Sequence, residues 1–434
     1  MVRQSRFFYG WVVVAVAFVC LGMAYTVQNS FSIFFVAILD EYGWDRGSTA
    51  LAFSVFTLVY GLGSPVTGAL VDRLGPRVVV PLGAVVLSVG LFACSQVSQP
   101  WQLYAAYGLV TAIGVNALGT IVNVTVLSNW FQRQRGIAIG LAASGIGVGM
   151  LILVPIMQYI IGTHGWRTAY LSFAALVLVT LPALGIMFHR HRPEDMGLLP
   201  DGRTADTPVD DQSRPAVRVV DEEWVAHDWT TTAAASTRRF WLLFASVLSA
   251  MVALQVVMVH QAAYLRDQGF DPMLAASAVA LVGIFGSLGK ICWGTLSDWL
   301  GREATYSLGV GCLIVGVVVL GVATDASRPW VVYAYTALFG IGYGVFAPLF
   351  PAAAADLFQG RRFASIYGAL CVGSGSGSAL GSWLGGQVFD LSGGYAVAFA
   401  IAGAAASLSI AGFWLAGPRY VRQVPGLATR DAVN

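Results

Sequence analysis

The chain has 434 residues, 57% of them apolar and only 11% charged, with a formal net charge of +2. Globular proteins carry about 25% charged residues, so this composition excludes a soluble fold and a nucleic-acid-binding surface. It describes a polytopic membrane protein in a lipid bilayer. Five cysteines (Cys20, Cys94, Cys292, Cys312, Cys371) fall in five different apolar runs without paired spacing, which argues against a metal or disulfide framework.

The first apolar run starts near Gly10 and has no small-residue cleavage site, so it reads as a spanning helix and not as a signal peptide. Hydropathy over windows of about 19 residues predicts twelve spans. They lie near 10–38, 48–70, 78–97, 102–129, 136–162, 168–188, 240–265, 274–298, 304–323, 330–357, 363–390 and 395–416. One long polar segment, 190–239, carries ten acidic residues and several prolines and reads as disordered. The expected fold is an all-α membrane protein of twelve helices in two six-helix halves. Residues 1–189 form the first bundle, 190–239 a cytoplasmic loop, and 240–434 the second bundle with a short tail. With the N-terminus inside, nineteen arginines fall on its side and only Arg46, Arg167, Arg266 and Arg328 on the other. The positive-inside rule then puts both termini in the cytoplasm.

Lys290 is the only lysine, and it sits in the apolar run from Leu274 to Trp299. A cation at this depth costs about 2.5–3.5 kcal/mol on insertion scales, so it is expected to face the protein interior and to meet an anion. No acidic residue lies within one helical turn of it, which makes a bound substrate the candidate partner. The glycine-rich run Gly373-Ser-Gly375-Ser-Gly377-Ser-Ala-Leu-Gly381 has no preceding strand, so it reads as a close-packing helix face and not as a phosphate loop. Walker sequences, metal clusters and triad spacings are absent from the sequence. The expectation is therefore no enzymatic activity and no cofactor.

The halves repeat. Gly68-Ala-Leu-Val-Asp72-Arg73-Leu-Gly75-Pro-Arg77 follows the second span, and Gly294-Thr-Leu-Ser-Asp298-Trp-Leu-Gly301-Arg302 follows the eighth. The first copy resembles the signature of the major facilitator superfamily, in which Asp72, Arg73, Asp298 and Arg302 are expected to act at the gate by charge pairing. Three further stretches resemble the monocarboxylate transporters and their bacterial oxalate/formate-exchanger relatives. They are Tyr9-Gly10-Trp11-Val12-Val13, the run Trp130-Phe131-x-x-x-Arg135 leading into Gly140, Ser144, Gly145, Gly147 and Gly149, and Arg192-Pro193-Glu194-Asp195-x-Gly197-Leu198-x-Pro200-Asp201-Gly202.

The resemblance implies secondary transport of a small monocarboxylate such as lactate or pyruvate, with proton symport, in a bacterial inner membrane by a monomer. An oxalate/formate-type anion exchanger is the alternative, and a drug efflux antiporter is disfavoured because the helix 5 Gly-Pro pattern is missing. Lys290 aligns with the helix 8 arginine that grips the carboxylate in monocarboxylate transporters. A lysine, unlike an arginine, can release its proton when desolvated. His260, in a segment similar to a histidine-bearing stretch of the bacterial members, is expected to bind the carboxylate or carry a proton. The family's helix 1 lysine and the acidic residue one turn before its helix 8 arginine are replaced here by Asn29 and Gly286. Gln28, Asn29, Asn123 and Tyr343 complete the expected cavity lining, with Asn116, Tyr333 and Tyr335 as weaker candidates.

Overall fold

A computed structural model describes residues 8–131, 135–188, 193–196, 218–358 and 363–423. Twelve long helices dominate. In the first half, α1 runs over Gly10–Asn29 and continues as Phe31–Tyr42, followed by α2 (Arg46–Leu74) and α3 (Pro76–Ser95). Helix α4 is assembled from Pro100–Leu103, a π-helical stretch Tyr104–Thr111, Ala112–Leu118 and Thr120–Trp130, and α5 (Arg135–His164) and α6 (Trp166–Phe188) complete the set. The second half contains α7 (Arg238–Asp267), α8 (Pro272–Leu300), α9 (Arg302–Gly321), α10 (Trp330–Tyr343 with Phe346–Phe358), α11 (Phe363–Ser392) and α12 (Ala396–Ala416). Among the described residues, eleven helical segments are long and apolar enough to cross a membrane. Helix α11 has the length, 30 residues, but its serines and glycines hold its hydropathy down.

Three of the predicted spans are broken, and the breaks follow from local chemistry. At Gly119 the backbone turns extended (φ −79°, ψ −163°), which frees carbonyls inside α4. Asn123 takes them up, donating its amide hydrogens to the Leu118 and Gly119 oxygens at 2.8 and 2.9 Å. In α1 the interruption at Ser30 is milder, with Asn29 Nδ2 donating to Tyr25 O. In α10 the interruption falls at Gly344 and Val345.

The contacts divide the chain into two compact units, 1–43 with 59–210, and 44–58 with 211–434. The beginning of α2 thus groups with α7 to α12. In the first unit α1 crosses α5 at glycines: a Cβ added to Gly149 would fall 2.5 Å from Gly22 O, and one on Gly145 would collide with Phe18 O. In the second unit α7 crosses α11 the same way, at Gly377 against Leu248 O and Gly381 against Val252 O. These small residues let backbones approach to the distances that van der Waals packing in a bilayer requires. The Gly377–Gly381 face is therefore a packing surface.

The two signature turns share one backbone. Gly75 (φ 74°, ψ 161°) and Gly301 (φ 91°, ψ 159°) occupy a region open essentially to glycine alone. The family-like stretches at the start of α1 and of α5 meet in space. Phe8 and Tyr9 lie on Trp130, and Trp11 lies on Phe131, with ring centroids 5.1–5.9 Å apart.

The second part of the 190–239 segment corrects the expectation of disorder. Arg218–Val219 pairs antiparallel with Arg422–Gln423, and two short helices follow at Glu222–Ala226 and Thr231–Ala235. Two tryptophans supply the apolar anchor that the composition obscured. Trp224 donates its indole N–H to Leu357 O at 2.6 Å, and Trp229 sits edge-on to Phe358.

Candidate functional site

Lys290 lies on α8, partly buried, where α8 and α10 approach closely. The interruption in α10 abuts it: a Cβ on Gly344 would fall 2.6 Å from the Lys290 backbone nitrogen. Trp293 fixes the crossing by donating its indole N–H to Ile341 O at 2.7 Å. The Lys290 ammonium stands 5.5 Å from the centre of the Tyr343 ring, over its face. Among the described residues no carboxylate pairs with it. Gly286 makes this arrangement possible, since a Cβ there would lie 2.6 Å from the Tyr343 ring. One turn before the lysine, where the family resemblance calls for an acid, the chain holds an aromatic face from α10. A ring quadrupole attracts a cation without neutralising it.

His260 is fully buried on α7 and has protein partners on both ring nitrogens. Nε2 is 2.9 Å from Ser382 O and Nδ1 is 3.2 Å from the Tyr395 hydroxyl. A carbonyl only accepts, so Nε2 carries the hydrogen, and in the neutral ring Nδ1 accepts from the Tyr395 hydroxyl. The Tyr395 oxygen in turn accepts from Arg46 at 2.8 Å, and burial keeps that phenol above its usual titration range. Arg46 also pairs with Asp267 at 2.7 Å and lies 3.9 Å above the Phe389 ring. Asp390 accepts the backbone N–H groups of Arg46 and Gly47 at 3.1 and 2.7 Å, and so caps the start of α2 from α11. His260 is thus an interior link of a hydrogen-bonded chain that runs from Arg46 through Tyr395 to Ser382 O, not a side chain open to solvent. Sequence reading passed over Arg46, Asp267, Asp390 and Tyr395. The available signal was Arg46 itself, one of only four arginines on the charge-poor side.

The polar residues of the first unit cluster around the break in α4. The Tyr25 hydroxyl is 2.7 Å from Thr120 Oγ1 and 3.0 Å from the Tyr60 hydroxyl. Asn116 donates to Tyr60 O and to Ser64 Oγ, leaving Oδ1 buried without a partner. Gln28 Oε1 and Asn123 Oδ1 are likewise buried and unpartnered. Asn123 and Asn29 commit their amide nitrogens to backbone carbonyls of their own helices. Gln28 Oε1, Asn116 Oδ1 and Asn123 Oδ1 are therefore buried acceptors of this unit left open. Of the other candidates in the second unit, Tyr335 is buried and donates to Gln261 Oε1 at 2.6 Å, while Tyr333 is 49% exposed.

At the signature turns, Arg302 forms a pair with Asp356 at 3.1 Å, both side chains largely buried, and donates to the Ser297 hydroxyl. This ties the start of α9 to the end of α10. Arg73 is exposed at the end of α2. The side chains of Asp72, Asp298 and Arg135 lie outside the described residues, as does the Gly197–Gly202 part of the third family-like stretch.

Residues 15–336 match the family described as the Major Facilitator Superfamily. Monocarboxylate transporter 13 of Rattus norvegicus is 27% identical over 91% of this chain and 86% of its own length. Monocarboxylate transporter 2 of Homo sapiens is 26% identical over 91% of this chain and 83% of its own length. Among solved structures, a nucleoside transporter superposes with TM-score 0.71 at 12% identity, covering 94% of this chain and 100% of that one. A bacterial homologue of the human lysosomal transporter Spinster gives 0.65 at 15% identity over 95% and 97%. With twelve long helices in two halves, the signature turn duplicated on a shared glycine backbone, and the family match spanning both halves, this chain belongs to the major facilitator superfamily.

Proposed function

We propose that the protein is a secondary active transporter of small monocarboxylates, lactate- or pyruvate-like, that moves one proton with each anion by alternating access. The observation that carries this reading is the solitary Lys290 ammonium on the Tyr343 face with no described carboxylate beside it. The names of the relatives support the substrate class. In the proposed cycle the protonated lysine balances one carboxylate, so the loaded carrier bears no net buried charge. Without substrate the bare cation is unfavourable in low dielectric, and the amine releases its proton before the carrier returns. One cation suits a monoanion better than a dianion. Tyr343 is assigned to the substrate site beside Lys290, and Gln28 offers a hydrogen-bonding group within the first unit. His260 is assigned to the Arg46–Tyr395 network and contributes to coupling through it. The protein is taken to work as a monomer in a bacterial inner membrane with both termini in the cytoplasm.

Uptake of labelled lactate, pyruvate, formate and oxalate into proteoliposomes, with and without a pH gradient, tests the reading. Lactate or pyruvate should accumulate only with an inward proton gradient. Lys290→Ala should abolish both binding and uptake. Lys290→Arg should bind but lose proton-driven accumulation, because a guanidinium stays protonated. An arginine variant that concentrates substrate with the wild-type pH dependence would leave the lysine as a counter-charge only. Oxalate-for-formate counterflow without a gradient would point to exchange.

A further inference from the structure

We propose that a slot between the start of α7 and the end of α12 holds the phosphate of an anionic membrane phospholipid. The slot has a volume of about 500 Å³ and is lined by Trp224, Thr237, Arg238, Arg239, Leu242 and Leu415. Its polar end is built, not incidental. The Arg239 guanidinium lies 4.4 Å from the centre of the Trp224 ring, and Trp224 is pinned through its indole N–H to Leu357 O at 2.6 Å. The ring contact holds the guanidinium against Trp224, yet Arg239 Nη1 is buried without a hydrogen-bond partner. Neither Arg238 nor Arg239 pairs with a carboxylate among the described residues. The neighbouring Asp221 caps the Trp224 backbone N–H at 2.9 Å, while Glu222, Glu223 and Asp228 are exposed.

A buried donor on a cation left unpaired is costly, and a phosphate oxygen is its natural acceptor. Helix α7 adds the positive end of a 30-residue dipole at the same place. The rest of the slot is apolar. Leu242 lines it from inside the bundle, and Leu415, 61% exposed on the membrane-crossing α12, lines it from the lipid-facing side. A free phosphate has no use for that wall, whereas a lipid lays its glycerol and first acyl carbons along it. The two arginines also disfavour a choline headgroup, whose ammonium would sit against them.

Native mass spectrometry of the full-length protein in detergent tests the assignment, using titrations with phosphatidylglycerol, phosphatidylcholine of the same acyl chains, and inorganic phosphate. Phosphatidylglycerol should bind in preference to phosphatidylcholine. Arg239→Gln should weaken it about fivefold, and the double change with Arg238→Gln about 25-fold. Arg239→Lys, which keeps the charge and loses the planar stack, should fall between wild type and Arg239→Gln. Lipid-free melting of each variant separates folding from binding. If the double variant melts early, Arg238→Gln carries the comparison, since Arg238 is exposed and outside the core. Equal retention of the two lipids, or wild-type phosphatidylglycerol binding by the double variant or by Arg238→Gln, overturns the proposal. Displacement of bound lipid by millimolar inorganic phosphate would assign the slot to the free anion and overturn it equally.

Discussion

Gly286 decides the surroundings of the lone lysine by what it lacks. With no Cβ at that position, the Tyr343 ring fits against α8 and presents its face to the ammonium. An acidic side chain there would displace the ring and neutralise the cation. Tyr343 thus holds the ammonium without neutralising it, as the proposed role in anion binding requires. A desolvated cation–π contact contributes up to about 2 kcal/mol. Tyr343→Leu is therefore expected to weaken substrate binding roughly tenfold, while Tyr343→Phe, which keeps the ring, stays within about twofold of wild type. Equilibrium binding of labelled substrate to the purified protein separates the two, and equal losses in both variants would assign the effect to the hydroxyl.

At the scale of helices, glycine faces set the two crossings that frame each unit, α1 on α5 and α7 on α11. A side chain at Gly381 would be driven into Val252 O, and backbone cannot yield as a flexible side chain can. Gly381→Leu should lower stability by more than the roughly 1–3 kcal/mol of ordinary overpacking, read as a fall in melting temperature in detergent. Gly403→Leu on α12 is the control, since a Cβ at Gly403 meets nothing within 4 Å. The Arg46 network is the second device at this scale, because it links α2, α7, α11 and the start of α12 by side chains in one hydrogen-bonded chain. If Arg46 and His260 communicate through Tyr395, a double-mutant cycle of Arg46→Ala with His260→Ala should show a coupling of at least about 0.5 kcal/mol in unfolding free energy. Additive losses would mean two independent packing defects.

For the whole molecule, the duplicated turn is proposed to govern rate more than affinity. Gly75 and Gly301 hold the same glycine-only conformation beside Asp72–Arg73 and Asp298–Arg302, and neither turn adjoins the Lys290–Tyr343 pair in sequence. Asp72→Ala is expected to slow transport while leaving substrate affinity within a few fold. Initial rates set beside equilibrium binding test this, and a large affinity loss with intact turnover would contradict it. In the second half, Arg302→Ala would remove the cation paired with the Asp356 carboxylate, which is only 10% exposed. Removing one partner of such a pair costs about 3–5 kcal/mol, so this variant should lose stability as well as speed.

The sequence alone determined the class, the helical segments in two halves, the duplication and the singular lysine. Each of these depends on composition, hydropathy period or repeat, which are properties of the chain read locally. The tertiary structure decided what those residues meet. The loop tryptophans are ordered because Leu357 and Phe358 lie beneath them, more than a hundred positions away. Asn123 is drawn into the break of its own helix, because freed carbonyls inside a bilayer must find donors. His260 is closed off by Ser382 and Tyr395, and Tyr343 reaches Lys290 from another helix through the gap at Gly286. Contacts between helices depend on which faces meet and how closely the backbones approach, and neither is written in the residues around one position.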